Sequence, residues 1–241
     1  PQLWRYTNLI QRSLANVDVL LAPSEFTAQQ HRAAGLATPI EVLPTFSSLE
    51  PGSPVRRVRR ERPGFVFVGR ITASKGIGVL LEEFARLPAF DLDVIGDGEL
   101  QYRLKEQYAG HRHIRFLGSV PQRELIGAYQ SATALILPSL APEVFPLTVL
   151  EALACGTPAV VHDAGGNREA VEKTGGGFVY RSRKELRQIL SALAQDARLR
   201  EALAQRARSG YERFYTRAQH LAHYYGVIDT IGKKKGVMVG A

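Results

Sequence analysis

Glu143 and Glu151 stand eight positions apart within P-S-L-A-P-E-V-F-P-L-T-V-L-E-A-L-A-C-G-T-P, residues 138–158. The apolar run 132–137 before it reads as a buried strand. A helix is expected from about Pro146 to Cys155, with Pro in its first turn and Gly156 ending it. Glu143 then lies in the loop and Glu151 at least one turn inside the helix. Helical side chains tilt back toward the N-terminus, so Glu151 is expected to lean toward the mouth where Glu143 sits. A carboxylate placed there can accept both hydroxyls of a ribose, and the free N–H groups of a helix start suit a phosphate. Either acid alone would read as a surface residue. Glu151, however, is set among Leu147, Val149, Leu150, Ala152 and Leu153, and a buried charge is costly without a partner. The pattern predicts a dedicated one.

Two cations match this anion-binding chemistry. F-V-F-V-G-R-I-T-A-S-K-G, residues 65–76, puts Gly69 and Arg70 at a strand end, with Lys75 and Gly76 in the loop that follows. Gly69 lets the backbone turn beside a ligand, and Arg70 and Lys75 can grip a diphosphate through charge-assisted hydrogen bonds. The bland alternative is a solvated lysine at a helix start. That place disfavours a cation, so Lys75 asks for a reason.

Other stretches carry less. V-I-G-D-G-E-L, residues 94–100, has Gly96 and Gly98 but no third glycine, so the dinucleotide fingerprint fails; it reads as a tight turn at a pocket edge. Asp91-Leu92-Asp93 has a metal-binding look, yet it stands at the start of a strand, away from the carboxyl end, and is read as structural. No other His, Asp, Glu or Cys group has metal spacing. L-G-S-V-P, residues 117–121, is either a plain strand–helix turn or a pocket wall through Ser119 and Val120. In H-D-A-G-G-N-R-E, residues 162–169, Gly165 and Gly166 make a turn and Asn167 is a candidate helix cap; His162 reads as structural.

These side chains need a scaffold. From Gly64 strands are predicted at 65–69, 91–96, 113–117, 132–137, 158–162 and 177–180. Helices are predicted near 75–86, 98–108, 121–131, 146–155, 167–173, 183–193, 196–208 and 211–229. Strands joined by helices require parallel pairing with right-handed crossovers. The fold class is therefore α/β: a doubly wound, Rossmann-like parallel sheet of about six strands with helices on both faces. Ligands in such sheets sit outside the carboxyl ends of the strands. Residues 1–46 read as a helix (3–15), strands at 18–22 and 40–43, and a helix at 25–34 capped by Ser24. That piece is too small to hold its own core.

Residues 47–63 read as a linker with arginines at 56, 57, 59, 60 and 62. Such a run offers peripheral contact with an acidic membrane surface, or with RNA; a solvated connector is the preferred reading. The chain of 241 residues has 45% hydrophobic and 22% charged residues, as in a globular protein, and its net charge of +8 favours anionic partners. A single cysteine, Cys155, excludes an internal disulfide framework. No apolar run approaches the ~18–20 residues of a membrane span, and no signal peptide is visible. The start at Pro1, directly in a helix-like pattern, is expected of a piece of a longer protein.

E-V-F-P-L-T-V-L-E-A-L-A-C-G-T-P-A-V, from Glu143, resembles the Glu-x7-Glu signature of retaining, nucleotide-sugar-dependent glycosyltransferases of the two-domain GT-B fold, the glycogen-synthase-like and mannosyltransferase-like group called family 4. The G-R-x-x-x-x-K-G stretch from Gly69, the Gly96 turn, the Leu117–Pro121 turn and the G-G-x-x-E stretch from Gly165 resemble further motifs of that group, in the same order. The resemblance implies that residues 64–210 are the nucleotide-sugar-binding domain. Residues 1–46 would be the end of the preceding acceptor-side domain, 211–229 a helix that crosses back onto it, and 230–241 a tail.

It also implies roles. Glu143, Arg70 and Lys75 would be catalytic. Gly69, Arg70, Lys75, Gly96, Ser119, Val120, Glu143, Phe145, Leu147, Thr148 and Glu151 would hold the donor, a UDP- or GDP-linked sugar, with Glu151 on the ribose. No cofactor or metal is expected, and nucleic acid is not an expected partner. The acceptor would be a carbohydrate, a lipid-linked molecule or a small molecule, and the location cytoplasmic or peripheral at a membrane. Val144 and Pro146 stand where the group often has Gly; Pro146 lacks an N–H, which shifts phosphate donation to Leu147 and Thr148. The alternatives are a catalytically silent nucleotide-binding or interaction module, or an epimerase or phosphorylase of the same fold. The Glu-x7-Glu spacing argues against the last two.

Overall fold

The structure, a computed structural model, describes residues 9–49 and 61–236. The expected helix at 3–15 is seen as α1, Leu9–Leu14, and residues 1–8 lie outside the described residues. Next come β1 (Leu20–Ala22), α2 (Glu25–Ala33) and β2 (Ile40–Val42), with β1 and β2 paired in parallel. Ser24 caps α2 as expected, its hydroxyl accepting the Thr27 N–H at 3.1 Å.

The main sheet has the strands β3 (Gly64–Val68), β4 (Asp91–Ile95), β5 (Ile114–Gly118), β6 (Ala134–Leu137), β7 (Ala159–His162) and β8 (Gly177–Tyr180). Their order is β5-β4-β3-β6-β7-β8, every pair parallel. The chain runs outward through β4 and β5, then returns to the other side of β3 as β6. The β3/β6 junction is the switch point, where a crevice opens at the carboxyl ends of the strands.

The helices are α3 (Ile77–Ala85), α4 (Gln101–Gln107), α5 (Gln122–Ser131), α6 (Leu147–Ala154), α7 (Asn167–Thr174), α8 (Arg183–Gln195), α9 (Ala197–Phe214) and α10 (Arg217–Lys235). Period-2 alternation sends each strand's side chains to two cores. Val66, Val68, Leu135, Leu137 and Val161 meet α5, α6, α7 and α9 on one face. Phe65, Phe67, Leu92, Val94, Ile136 and Val160 meet α3, α4 and α8 on the other. Burying each large aliphatic or Phe side chain is worth about 1.5–3 kcal/mol, so two filled faces fix the sheet.

Several expectations need correcting. The last two helices divide at Tyr215–Thr216, not between 208 and 211, so residues 211–214 belong to α9, and α10 extends to Lys235. Thr216 makes the break, its side chain capping α10 through the Gln219 N–H. The first residues of the expected linker are not solvated: Ser47 and Leu49 are buried, Leu49 within the core beside α5 and α6. Its arginines at 56, 57, 59 and 60 lie outside the described residues. Lys75 is not in the first turn of α3. It ends a short 3-10 turn, Ala73–Lys75, and Gly76 separates it from α3. Asn167 does not cap α7. Gly166 holds the cap position, and the Asn167 amide donates to the His162 carbonyl at 3.2 Å. Among the described residues no helix is long and apolar enough to cross a membrane.

Candidate functional site

At the switch point two adjoining cavities share Val68, Gly69 and Arg70. The first, about 340 Å³, is bounded by Ile95, Gly96, Asp97, Ser119, Val120 and Leu125. The second, about 270 Å³, is bounded by Lys75, Leu137, Glu143, Phe145, Leu147 and Thr148, among others. Ten of the eleven residues expected to hold a donor thus line one crevice. The exception is Glu151.

The crevice floor exists because backbones approach closely. A Cβ on Gly96 would stand 1.9 Å from the Gly69 carbonyl oxygen, and one on Gly76 would stand 2.0 Å from that of Pro138. Side chains at these points would push the loops after β3, β4 and β6 apart. The loops are also bonded to each other: Ile71 N–H donates to the Asp97 carbonyl at 2.8 Å, and Leu140 N–H to that of Ser74 at 2.9 Å.

Lys75 has a specific reason for its place. Its Nζ lies 2.5 Å from Glu143 Oε1, and the buried Ser139 hydroxyl donates to the same oxygen at 2.7 Å. Ser139 was not singled out from the sequence. Its only signal was its place just after a buried strand. Arg70, by contrast, is exposed, and its guanidinium forms no hydrogen bond or ion pair among the described residues; its backbone carbonyl accepts the Thr72 N–H at 3.0 Å. A guanidinium with five donors and no acceptor, on the boundary of both cavities, is set for an anion. Pro146 takes the N-cap position of α6, leaving the Leu147 and Thr148 N–H groups without intrahelical acceptors beside the second cavity.

Glu151 does have dedicated partners, but it does not lean toward Glu143. It is 6% exposed, lines neither cavity and turns to α5: Tyr129 O–H donates to Oε2 at 2.8 Å and Gln122 Nε2 to Oε1 at 3.0 Å. The Ser47 hydroxyl stands 3.4 Å from Oε1. A carboxylate in an apolar helix takes the donors nearest to it, and these lie sideways on α5. Burial first, and then the Glu151 charge, push the Tyr129 phenol well above its ordinary range. None of these three partners was foreseen.

The other motifs are occupied structurally. Asp93 pairs with Arg115 at 2.7 Å, and Asp91 with Arg62 at 3.5 Å. Among the described residues no group of three or more His, Cys, Asp or Glu side chains is placed to hold a metal. His162 Nδ1 lies 3.0 Å from the Ser139 carbonyl oxygen. That oxygen only accepts, so Nδ1 carries the proton.

Residues 53–210 match the family model described as glycosyl transferases group 1. The chain is 28% identical over 233 residues to a sulfoquinovosyl transferase of Arabidopsis thaliana, covering 90% of this chain and 45% of that protein. It is 32% identical over 233 residues to a D-inositol 3-phosphate glycosyltransferase of Corynebacterium jeikeium, covering 85% of this chain and 55% of that protein. The chain thus spans about half the length of these curated relatives. Similar solved structures include Anabaena HepE in complex with UDP, with TM-score 0.78, 21% identity and coverage of 90% of this chain and 66% of that one. Another is sucrose-phosphate synthase from Thermosynechococcus elongatus, with TM-score 0.78, 20% identity and coverage of 93% and 61%. The likeness shows the fold: the six-stranded parallel sheet flanked by helices is that of GT-B glycosyltransferases.

Proposed function

Because the chain belongs to the glycosyl transferases group 1 family, we propose that it is the donor-binding half of a retaining, metal-independent glycosyltransferase of the family 4 type, using a nucleoside-diphosphate sugar. The observation that carries this reading is the Arg70 guanidinium, unpaired among the described residues and set between two adjoining cavities, with Lys75 and the α6 N-terminus across the second. The base lies in the apolar first cavity against Val120 and Leu125, and the diphosphate between Arg70, Lys75 and the Leu147 and Thr148 amides. Breaking the bond between the anomeric carbon and the diphosphate leaves negative charge on the departing oxygen. Fixed cations and amides that need not reorganise stabilise that charge.

Glu143 faces the sugar. Before donor binds it neutralises Lys75; with donor bound, Lys75 bridges carboxylate and phosphate, and Glu143 stabilises positive charge developing on the sugar. Glu151 holds the ribose, with Gln122 and Ser47 giving way to its hydroxyls while Tyr129 stays on Oε2. The acceptor, a carbohydrate, a lipid-linked molecule or a small molecule, is held by the other half. The chain by itself therefore binds donor with negligible turnover, because orienting the acceptor accounts for roughly 7–11 kcal/mol of barrier. UDP is the first nucleotide to try, since HepE was solved with it. The test is the anomeric configuration of the product made by the full-length enzyme, read by proton NMR. Retention is expected, and inversion contradicts the proposal.

A further inference from the structure

The turn behind the crevice has two partners at once. On one side Gly166 N–H donates to the Glu143 carbonyl at 2.8 Å, and Gly165 forms a parallel bridge with Glu143. Gly165 adopts φ 63°, and a Cβ there would lie 2.7 Å from the Glu143 backbone N and O. The turn is therefore the support on which the Glu143 loop rests. On the other side, three residues on, the Glu169 carboxylate caps a helix 144 positions away in sequence: Oε2 accepts the Glu25 N–H at 2.9 Å and Oε1 the Phe26 N–H at 2.8 Å. Those are two of the free donors in the first turn of α2, where the dipole favours an anion. Ser24, the N-cap of α2, is itself fully buried, and its hydroxyl would lie 3.2 Å from a Cβ on Gly166.

We infer that Glu169 is a positioning residue for Glu143. Its carboxylate locks α2, in the acceptor-side segment, to the turn that holds the Glu143 loop, so the carboxylate facing the sugar is in place only when that segment is docked. The catalytic consequence rests on the role proposed for Glu143; the mechanical link does not. Two charge-assisted hydrogen bonds at ideal length make a link strong enough to transmit position. Glu169 touches neither cavity, so it acts through the turn.

The test removes one backbone donor without unfolding α2. Pro is favoured at the first helical position, and Ser24, at φ −150° and ψ 157°, already has the extended conformation that a following Pro requires. Glu25→Pro therefore deletes one N–H of the clamp, and Glu25→Ala keeps it. The first readout is amide hydrogen exchange at Gly166, which needs no substrate. Exchange is expected to rise about tenfold in Glu25→Pro and in Glu169→Gln, and not in Glu25→Ala, with the double variant Glu25→Pro/Glu169→Gln no faster than the larger single effect.

The second readout is kinetics of the full-length enzyme. In the same two variants kcat is expected to fall about tenfold with donor KM unchanged, the pattern of a lost transition-state contact. Equal exchange in Glu25→Pro and Glu25→Ala would overturn the link. Faster exchange with unchanged kcat would overturn its positioning role. A wild-type enzyme that exchanges as expected but transfers no sugar would instead contradict the proposed function.

Discussion

The Lys75 ammonium lies 2.5 Å from the Glu143 carboxylate across 68 positions of sequence, joining the loop after β3 to the loop after β6 over the mouth of the crevice. Both side chains are one-fifth exposed. The pair therefore holds the two loops in register while leaving a face of each group open to a ligand. Replacing either partner alone leaves a half-buried charge uncompensated. Lys75→Ala is expected to weaken nucleoside-diphosphate binding by about tenfold or more, the worth of one hydrogen bond to a charged group. Glu143→Gln is expected to leave that affinity within about threefold and to cut transfer by the full-length enzyme at least about a hundredfold. Calorimetry and steady-state kinetics on the two variants check this split; equal losses of binding in both would remove the division of roles.

The Glu151 side chain makes a second, separable prediction. Tyr129→Phe keeps the ring in its fully buried position and deletes the O–H that donates to Oε2 at 2.8 Å. An unpaired buried carboxylate oxygen costs about 1–3 kcal/mol, so the melting temperature should fall. Glu151→Gln should also weaken nucleotide binding, because an amide accepts poorly from two ribose hydroxyls. Calorimetry below the melting temperature of both variants separates the effects. Glu151→Gln with unchanged affinity would leave Glu151 a structural acid serving α5 alone.

The sheet was legible because buried parallel strands announce themselves: Phe65–Val68 and Ala134–Leu137 are apolar on both faces, and only a doubly covered sheet accommodates that. The crevice was legible for a related reason, since Gly69, Gly96 and Gly76 mark where loops meet at the carboxyl ends of strands. Contacts between distant segments were hidden. Nothing near Glu151 names Tyr129, and nothing near Glu169 names the first turn of α2, because neither helix periodicity nor a turn signal encodes which elements will face each other. Lys75 stands two residues before the start of α3, and its ion pair with Glu143, not the helix dipole, is the reason for a cation there.

Gly96→Ala tests the packing of the crevice floor. The added methyl meets a backbone carbonyl at 1.9 Å, and φ there is 134°. Neither neighbour can swing away as a flexible side chain would. A loss of about 1–3 kcal/mol is expected in urea unfolding, with nucleotide affinity reduced as the loops after β3 and β4 separate. Gly78→Ala, which meets nothing within 4 Å, is the control and is expected to keep both.

Cys155 reports on the core beneath the site. Burial, and then the nearby Glu151 charge, push its thiol from the ordinary 9.0 up to about 12. Since the thiolate is the reactive form, the folded protein should resist alkylation at pH 8, while urea-unfolded protein is labelled at once. The folded state holds this proton more tightly than the unfolded state. Its contribution to stability is therefore complete below pH 9 and is lost as pH rises through the window from about 9 to about 12. Labelling kinetics at pH 8 in rising urea should track global unfolding; fast labelling without urea would mean that α6 opens locally.

The central claim is that the Arg70 guanidinium, unpaired among the described residues at the junction of the cavities, replaces a metal ion in gripping a diphosphate. Its most direct test is a calorimetric titration of UDP into the chain and into Arg70→Ala, each with and without excess chelator. The account predicts binding that chelator leaves unchanged and that Arg70→Ala weakens by about tenfold or more, as expected for loss of a charge-assisted contact. Binding abolished by chelator, or unchanged in Arg70→Ala, would contradict it.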